Sequence, residues 1–248
     1  MTPIPIHELY ERDPDLYDAL TRRDFAAQAD VLRGLFRSPA PRVLELFAGP
    51  ARHARALKAA GAVVRAVDDS PAMRAHALAD GGLAPADYVR ARLPRLPVRG
   101  RFDGALMLQF AAGLLEPAAL ETLAVRLAAA LRPGAPLVFE LRRPSALRGP
   151  AGTVTLPWTR GRALRLTCPD VPVAWSDDDW TMELTLRVDV LRAGAVAESR
   201  RYRMSERLVL PGDLRRLAER TKLYAVEATP PDAARAFPDS LLVTLRRR

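Results

Sequence analysis

Residues 43–53, Val-Leu-Glu-Leu-Phe-Ala-Gly-Pro-Ala-Arg-His, decide the fold of this chain. An apolar strand pattern containing Glu45 runs into a tight turn at Gly49, and a helix pattern follows directly. A second apolar strand, 62–67, comes after that helix and is followed by Asp68. In such a unit, helix-terminal N–H groups point at the turn, and the carboxylate can accept hydrogen bonds from both hydroxyls of a ribose. The stretch therefore predicts a nucleotide-binding pocket.

The turn itself narrows the class of ligand. Gly49 is its one glycine, and the G-x-G-x-x-G spacing that suits a dinucleotide pyrophosphate is absent. We expect Pro50 at the first helical position, because its φ is fixed and its missing N–H has no partner to lose. Ala51 is small enough for the backbone to approach a ligand. These features favour a ligand that has an adenosine but no diphosphate.

Strand and helix patterns alternate along the chain outward from this unit. They predict an α/β fold, with a Rossmann-like, mostly parallel sheet of seven strands and helices on both faces. The predicted strands are 42–47, 62–67, 87–91, 103–110, 136–142, 223–229 and 240–246, and the predicted helices are 50–60, 71–79, 117–131 and 211–221.

Two further regions differ from this alternation. Residues 15–36 have near-helical apolar spacing with a break at 22–24, which predicts an N-terminal helical segment. Residues 164–168, 181–191 and 195–204 alternate with period two, which predicts an antiparallel β insertion with a hairpin turn at 192–194. We expect a lid at 1–38, a nucleotide-binding α/β core at 39–148, the insertion covering the substrate at 149–207, and the C-terminal completion of the core sheet at 208–248.

Composition excludes several classes of protein. The chain has 248 residues, 49% of them hydrophobic, which suits one α/β domain with an insertion, and no apolar stretch is long enough to span a bilayer. A single cysteine, Cys168, excludes an internal disulfide, and no histidine pair or cysteine cluster predicts a metal site. The N-terminus lacks a signal pattern, so we expect a cytoplasmic protein.

The net charge of +9 comes almost entirely from arginine, since Lys58 and Lys222 are the only lysines. The arginines are dispersed among acidic residues, and no basic cluster interleaves with aromatics as in a nucleic-acid groove. We therefore expect no nucleic-acid partner, although attraction of small anions is open.

A family resemblance follows from several segments taken together. Residues 43–61 with 63–73 resemble the opening of class I S-adenosylmethionine-dependent methyltransferases. Residues 102–106 resemble their fourth strand, and residues 131–140 resemble their helix-to-fifth-strand segment. The match covers about residues 40–142, in the same order and spacing. The segments 16–18 and 23–27, with the antiparallel insertion, look like the small-molecule branch that includes sugar N-methyltransferases.

The resemblance implies S-adenosylmethionine as the cofactor. Asp68 would hold both ribose hydroxyls, and the stretch around Arg23 would close over the site. Ser70 and Met73 would flank the adenine. Ser70 as a helix cap, and Phe47 and Met73 as ordinary core, stay open. The residues implied to bind the cofactor are Glu45, Phe47, Ala48, Gly49, Pro50, Ala51, Asp68, Asp69, Ser70, Met73, Ala91, Arg92, Leu93, Leu108, Gln109 and Arg23.

Three positions depart from the family pattern. Phe47 stands where the family commonly has Gly or Ala, and Asp69 replaces an apolar residue that packs on the adenine. Arg92 aligns with an Asp that often accepts a hydrogen bond from the adenine amine, and a guanidinium has no acceptor.

No general base is evident for the transfer. Methyl transfer is an in-line displacement in which the protein mainly aligns the reactants. Residues 109–113 contain no His or carboxylate, and Gln109 could orient an acceptor without taking its proton. His7 and Tyr17 of the lid are the other catalytic candidates. Phe110, Trp158 and Trp175 would contact the acceptor.

The leading hypothesis is an S-adenosylmethionine-dependent methyltransferase that acts on N or O of a small molecule, with no membrane partner and with a homodimer left open. The alternative is a methyltransferase-like protein without methylation activity, as an accessory or binding subunit or with other chemistry in the pocket. Arg92, Asp69 and the missing base motivate that alternative.

Overall fold

A computed structural model describes residues 3–79, 81–143, 152–158, 162–168, 173–175, 180–228 and 233–248. The chain divides into two compact units. The core unit consists of Asp24–Arg143 and Val209–Arg248, and the second unit consists of Met1–Arg23 and Pro144–Leu208. Among the described residues, no helix combines the length and the apolar character needed to cross a membrane.

The described residues form eight α-helices and thirteen strands. The helices are α1 (His7–Arg12), α2 (Pro14–Leu20), α3 (Phe25–Arg33), α4 (Arg52–Ala59), α5 (Pro71–Ala79), α6 (Pro117–Ala130), α7 (Pro211–Thr221) and α8 (Ala233–Ala236). The strands are β1 (Ile4–Pro5), β2 (Arg42–Leu46), β3 (Val63–Asp68), β4 (Tyr88–Arg90), β5 (Gly104–Met107), β6 (Pro136–Arg142), β7 (Gly152–Pro157), β8 (Arg162–Cys168), β9 (Val173–Trp175), β10 (Trp180–Arg192), β11 (Ala195–Arg207), β12 (Tyr224–Glu227) and β13 (Ser240–Arg247).

The core unit is built on one sheet. Its described residues contribute seven strands in the order β12-β13-β6-β5-β2-β3-β4. All neighbours pair in parallel except β13, which is antiparallel to both β6 and β12. The α/β, Rossmann-like class predicted from the alternating patterns is therefore confirmed.

Helices cover both faces of this sheet. Successive side chains of a buried strand point to opposite faces and so pack against different helices. Leu44 and Leu46 of β2 belong to one apolar cluster, which includes residues of α6 and α7. Val43 of the same strand belongs to the other cluster, which includes residues of α3, α4 and α8. The strands in the middle of the sheet are thus buried on both sides.

The second unit contains an antiparallel sheet. The long strands β10 and β11 form a hairpin, with Ala193 and Gly194 at positive φ in the turn. Strand β8 pairs with β10, β7 pairs with β8, and β1 pairs in parallel with β11. Leu164 and Val188 of the sheet pack with Leu9 and Leu16 of helices α1 and α2 in one apolar cluster.

Several boundaries differ from the sequence predictions. The helix expected at 50–60 begins at Arg52, so the prediction that Pro50 is its first residue is wrong. The N–H of Ala51 bonds to the carbonyl of Ala48 at 2.7 Å, which closes a separate turn ahead of the helix. The segment 1–38, predicted as one lid, is divided: residues 1–23 belong to the second unit and 24–38 to the core unit.

Candidate functional site

Loops that follow four parallel strands meet at one edge of the core-unit sheet. Strands β4, β3, β2 and β5 are consecutive neighbours and run in the same direction, so their carboxyl ends lie side by side. The chain passes from β2 to β3 on one side and later returns to β5 on the other side of β2. Ligands of such sheets bind where the strand order reverses, which here is the crevice between β2 and β5.

The turn after β2 has an unusual backbone. Phe47, Gly49 and Ala51 have φ values of 52°, 49° and 53°. Left-handed backbone is disfavoured for residues with a Cβ, so Phe47 and Ala51 carry local strain that the surrounding structure has to hold. Backbone strain of this kind concentrates at ligand sites. Residues 47–51 lie within the stretch 43–53, which contributes to the nucleotide-binding pocket predicted from the sequence.

Asp68, at the end of β3, fastens this turn. Its Oδ2 accepts from the N–H of Gly49 at 2.9 Å, and its Oδ1 accepts from the N–H of Ser70 at 3.0 Å. The backbone of Asp69 also donates to this carboxylate, and the roughly four lone-pair sites of a carboxylate leave capacity for a further donor. Burial raises the pKa of Asp68 above the usual 3.8, and the hydrogen bonds from Ser70 and Gly49 partly oppose that rise.

Tyr88, which the sequence analysis missed, holds the other side of the turn. Its hydroxyl donates to the carbonyl of Gly49 at 2.7 Å, so both polar groups of the Gly49 backbone are engaged. Burial raises the pKa of Tyr88, and the charges of Asp68 and Glu45 raise it further. An aromatic residue opening an apolar strand gives no signal of this contact in the sequence.

Ser70 and Met73 lie directly after Asp68. The Oγ of Ser70 accepts from the N–H of Met73 at 3.1 Å, which caps helix α5. Met73 is 2% exposed. The geometry thus gives Ser70 the capping role left open above, and adenine contacts by either residue stay predictions.

The two charged departures from the family pattern face each other. The Nε of Arg92 lies 3.7 Å from the Oδ2 of Asp69, and both side chains are largely exposed. Ala91, beside Arg92, donates its N–H to the carbonyl of Asp68 at 2.8 Å. The segments after β3 and β4 are therefore joined next to Asp68.

Glu45 belongs to a buried polar network behind the turn. Its Oε2 accepts from the N–H of Ala54 at 2.8 Å, and its Oε1 lies 3.4 Å from Nδ1 of His53. The amide of Gln28 donates to the carbonyl of Ala236 at 2.9 Å, so its oxygen faces Nε2 of His53 at 2.8 Å as an acceptor. The network ties helices α3, α4 and α8 to β2, which gives Glu45 and His53 structural roles.

The loop after β5 also has a strained backbone, and side chains of β6 contact it. Gln109 and Phe110 have φ values of 53° and 64°. The N–H of Gln109 donates to Oε2 of Glu140 at 2.7 Å, and Ser240 donates to the other oxygen of Glu140. The guanidinium of Arg142 lies 4.0 Å from the ring centroid of Phe110.

The remaining candidates belong to the second unit. His7 is exposed at the start of α1, and Tyr17 of α2 packs edge-on against Tyr10, with ring centroids 4.8 Å apart. Arg23 is half-buried, Trp158 packs with the apolar cluster of its unit, and Trp175 ends β9. Their contacts with cofactor or acceptor stay predictions. Within the ranges that the structure describes, no group of three His, Cys, Asp or Glu residues could hold a metal ion.

No family model matches this chain, and no curated protein sequence matches it. Solved structures with the same fold do exist. CalS10 of Micromonospora echinaspora, an amino pentose methyltransferase solved with S-adenosylmethionine bound, has a TM-score of 0.72 and 17% identity, covering 100% of this chain and 99% of its own. DesVI of Streptomyces venezuelae has a TM-score of 0.74 and 16% identity, with 100% of both chains covered. KedS8 of Streptoalloteichus, a sugar N-methyltransferase, has a TM-score of 0.71 and 21% identity, covering 94% of this chain and 92% of its own. The chain thus has the fold of S-adenosylmethionine-dependent methyltransferases.

Proposed function

We propose that this protein is an S-adenosylmethionine-dependent methyltransferase that acts on a nitrogen or oxygen of a small molecule. The observation that carries the proposal is the carboxylate of Asp68, fixed by two backbone N–H groups beside a strained turn at the switch point of the sheet. The shared fold of the structural neighbours supports it.

The residues at this edge suit an adenosyl cofactor. The Asp68 carboxylate accepts backbone hydrogen bonds from Gly49, Ser70 and Asp69, and its roughly four lone-pair sites leave capacity for a hydroxyl donor such as a ribose offers. Gly49 and Ala51 are small where the methionine part would lie, and the bulky side chain of the turn, Phe47, packs against the apolar cluster that includes residues of α6 and α7. Asp69 and Arg92, at the rim, would lie toward the adenine.

The chemistry favours an amine acceptor. When bound, S-adenosylmethionine supplies a methyl group on a sulfonium sulfur. A neutral amine presents its lone pair without prior loss of a proton, whereas an alcohol commonly needs a base. Residues 109–113 provide no base, and the carboxylate of Glu140 is buried with both oxygens in hydrogen bonds. Gln109 would orient the amine by hydrogen bonding.

The structural neighbours support a proposal for the class of methyl acceptor. CalS10 acts on an amino pentose and KedS8 on a sugar nitrogen. We infer that a small amine-bearing molecule such as an amino sugar is the acceptor, with Phe110 as one of its contacts.

Calorimetric titration with S-adenosylmethionine tests the cofactor assignment. The wild-type protein should bind with a Kd of about micromolar order. Asp68→Ala should weaken binding by roughly 5- to 150-fold, because losing the acceptor leaves the ribose hydroxyls unpaired at about 1–3 kcal/mol. Methyl transfer to a panel of amino sugars, followed by mass spectrometry, then identifies the acceptor.

A matched control is Asp103→Ala. Asp103 lies just before the amino end of β5, where its carboxylate accepts from the N–H of Arg42. The variant therefore removes a carboxylate from the opposite edge of the same sheet. Its affinity for S-adenosylmethionine should match that of the wild type. No measurable heat with the wild-type protein, together with no thermal shift, would instead favour the methyltransferase-like alternative.

A further inference from the structure

Glu140 is a buried acid that the proposed chemistry does not use. It is 0% exposed and lies on β6 between Phe139 and Leu141, both also buried. A buried carboxylate costs more free energy than an apolar side chain of similar volume. The core therefore gains nothing from an acid at this position, and its hydrogen bonds indicate what the acid does.

The carboxylate binds the backbone of the loop that follows β5. Its Oε2 accepts from the N–H of Gln109 at 2.7 Å, and Ser240 of β13 holds its Oε1. Gln109 and Phe110 are consecutive non-glycine residues at positive φ, a strained conformation that persists only where the surrounding structure holds it.

A second contact from the same strand holds the next residue of the loop. Residues 140 and 142 project from the same face of β6. The guanidinium of Arg142 lies 4.0 Å from the ring centroid of Phe110, a distance at which cation and ring attract. The end of β6 therefore fixes both strained residues, one through its backbone and one through its ring.

We propose that Glu140 is a positioning residue of the reaction: by holding the N–H of Gln109, it aims the Gln109 side chain at the methyl acceptor. The inference rests on the proposed function for the role of Gln109. The hold on the loop is a separate statement that can be measured without any substrate.

Two variants of Glu140 test it by hydrogen exchange at the Gln109 amide. Glu140→Met keeps the approximate volume and removes the acceptor, so exchange should be about tenfold faster or more. Glu140→Gln restores an acceptor oxygen and should return exchange to within roughly threefold of the wild type. Unchanged exchange in Glu140→Met would overturn the proposal. If Glu140→Met does not fold, Ser240→Ala should still speed exchange measurably, and no change there would overturn it.

The kinetic readout uses the acceptor that the amino-sugar panel identifies. Glu140→Met should lower kcat about tenfold while the Kd for S-adenosylmethionine stays within about twofold, because the loop orients the acceptor and Asp68 holds the cofactor. Glu140→Gln should recover most of the rate. An unchanged kcat despite faster exchange would overturn the positioning role. Absence of cofactor binding in the wild type would refute the proposed function and leave the exchange result standing.

Discussion

At the scale of single residues, Asp68 carries most of the proposed binding. The acid is held partly out of water, so burial raises its pKa, yet two backbone N–H groups still orient both oxygens. A ligand that donates two hydroxyls to it would favour the ionised form. Binding should therefore be linked to the protonation state of this group.

We expect cofactor affinity to depend on pH through Asp68. Binding to the carboxylate requires ionisation, so affinity should be full above the raised pKa and fall by about tenfold per pH unit below it. The loss begins above pH 3.8, because the pKa of the folded protein lies higher than that value. Titration of wild type and Asp68→Asn across this range checks it. Equal pH profiles for the two proteins would contradict the assignment.

Tyr88 should matter for binding although it need not touch the ligand. Tyr88→Phe removes the hydrogen bond to the Gly49 carbonyl and loosens the turn, which should cost roughly 0.5–1.5 kcal/mol in stability and about 3- to 10-fold in cofactor affinity. Tyr224→Phe is a matched control, since that hydroxyl also donates to a backbone carbonyl at 2.7 Å, on Ala124 of α6. Urea denaturation should show similar losses for both, while calorimetry should show weaker binding only for Tyr88→Phe. Equal affinities would leave the turn independent of Tyr88.

At the scale of elements, a buried polar network links three helices to β2. Gln28, His53 and Glu45 are 2%, 1% and 4% exposed, so each depends on its neighbours for hydrogen bonds. Removing one member leaves another polar group buried without its partner. Because each buried polar side chain needs its partner in place, the network helps to determine how α3 and α4 pack on the sheet.

Gln28→Leu should therefore destabilise the protein by about 1–3 kcal/mol, since the side chain of His53 and the carbonyl of Ala236 both lose a partner. Asp30→Ala on the exposed side of the same helix should stay within about 0.5 kcal/mol of the wild type. Urea denaturation measures both. A loss for Gln28→Leu no larger than for Asp30→Ala would mean that the network adds little.

The sequence predicts the elements of the core unit well where one apolar period is kept over a whole element, and less well at turns. Helix α5 and strand β6 occupy the predicted ranges, because their apolar patterns match one period throughout. The start of α4 was misplaced because Ala51 adopts a left-handed conformation, which Ala rarely does. In the second unit, helix α1 and strands β7 and β9 lie outside the predicted elements.

The site could be predicted only in part. Asp68 stood out because an acid that ends an apolar strand has few other reasons to be there. The contact of Tyr88 with Gly49 spans 39 positions and that of Glu140 with Gln109 spans 31, so no local pattern reports them. Long-range hydrogen bonds of this kind are visible only in three dimensions.

At the scale of the whole molecule, the charge of +9 does not indicate a nucleic-acid surface. Several exposed arginines pair with acids close by, including Arg216 with Asp213 and Arg220 with Glu121. Random DNA duplex should bind no more tightly than about 10⁻⁴ M at physiological salt. Gel shift across a salt series measures this. A tighter complex whose affinity falls steeply with salt would revive the nucleic-acid hypothesis.

The most direct measurement is a crystal structure of the protein grown with excess S-adenosylhomocysteine, the demethylated cofactor. Both ribose oxygens should lie about 2.6–3.0 Å from the carboxylate oxygens of Asp68, with the homocysteine along the turn at 47–51. A nucleoside bound elsewhere, or a crevice beside Asp68 that stays empty under these conditions, would contradict the assignment of this edge as the cofactor site.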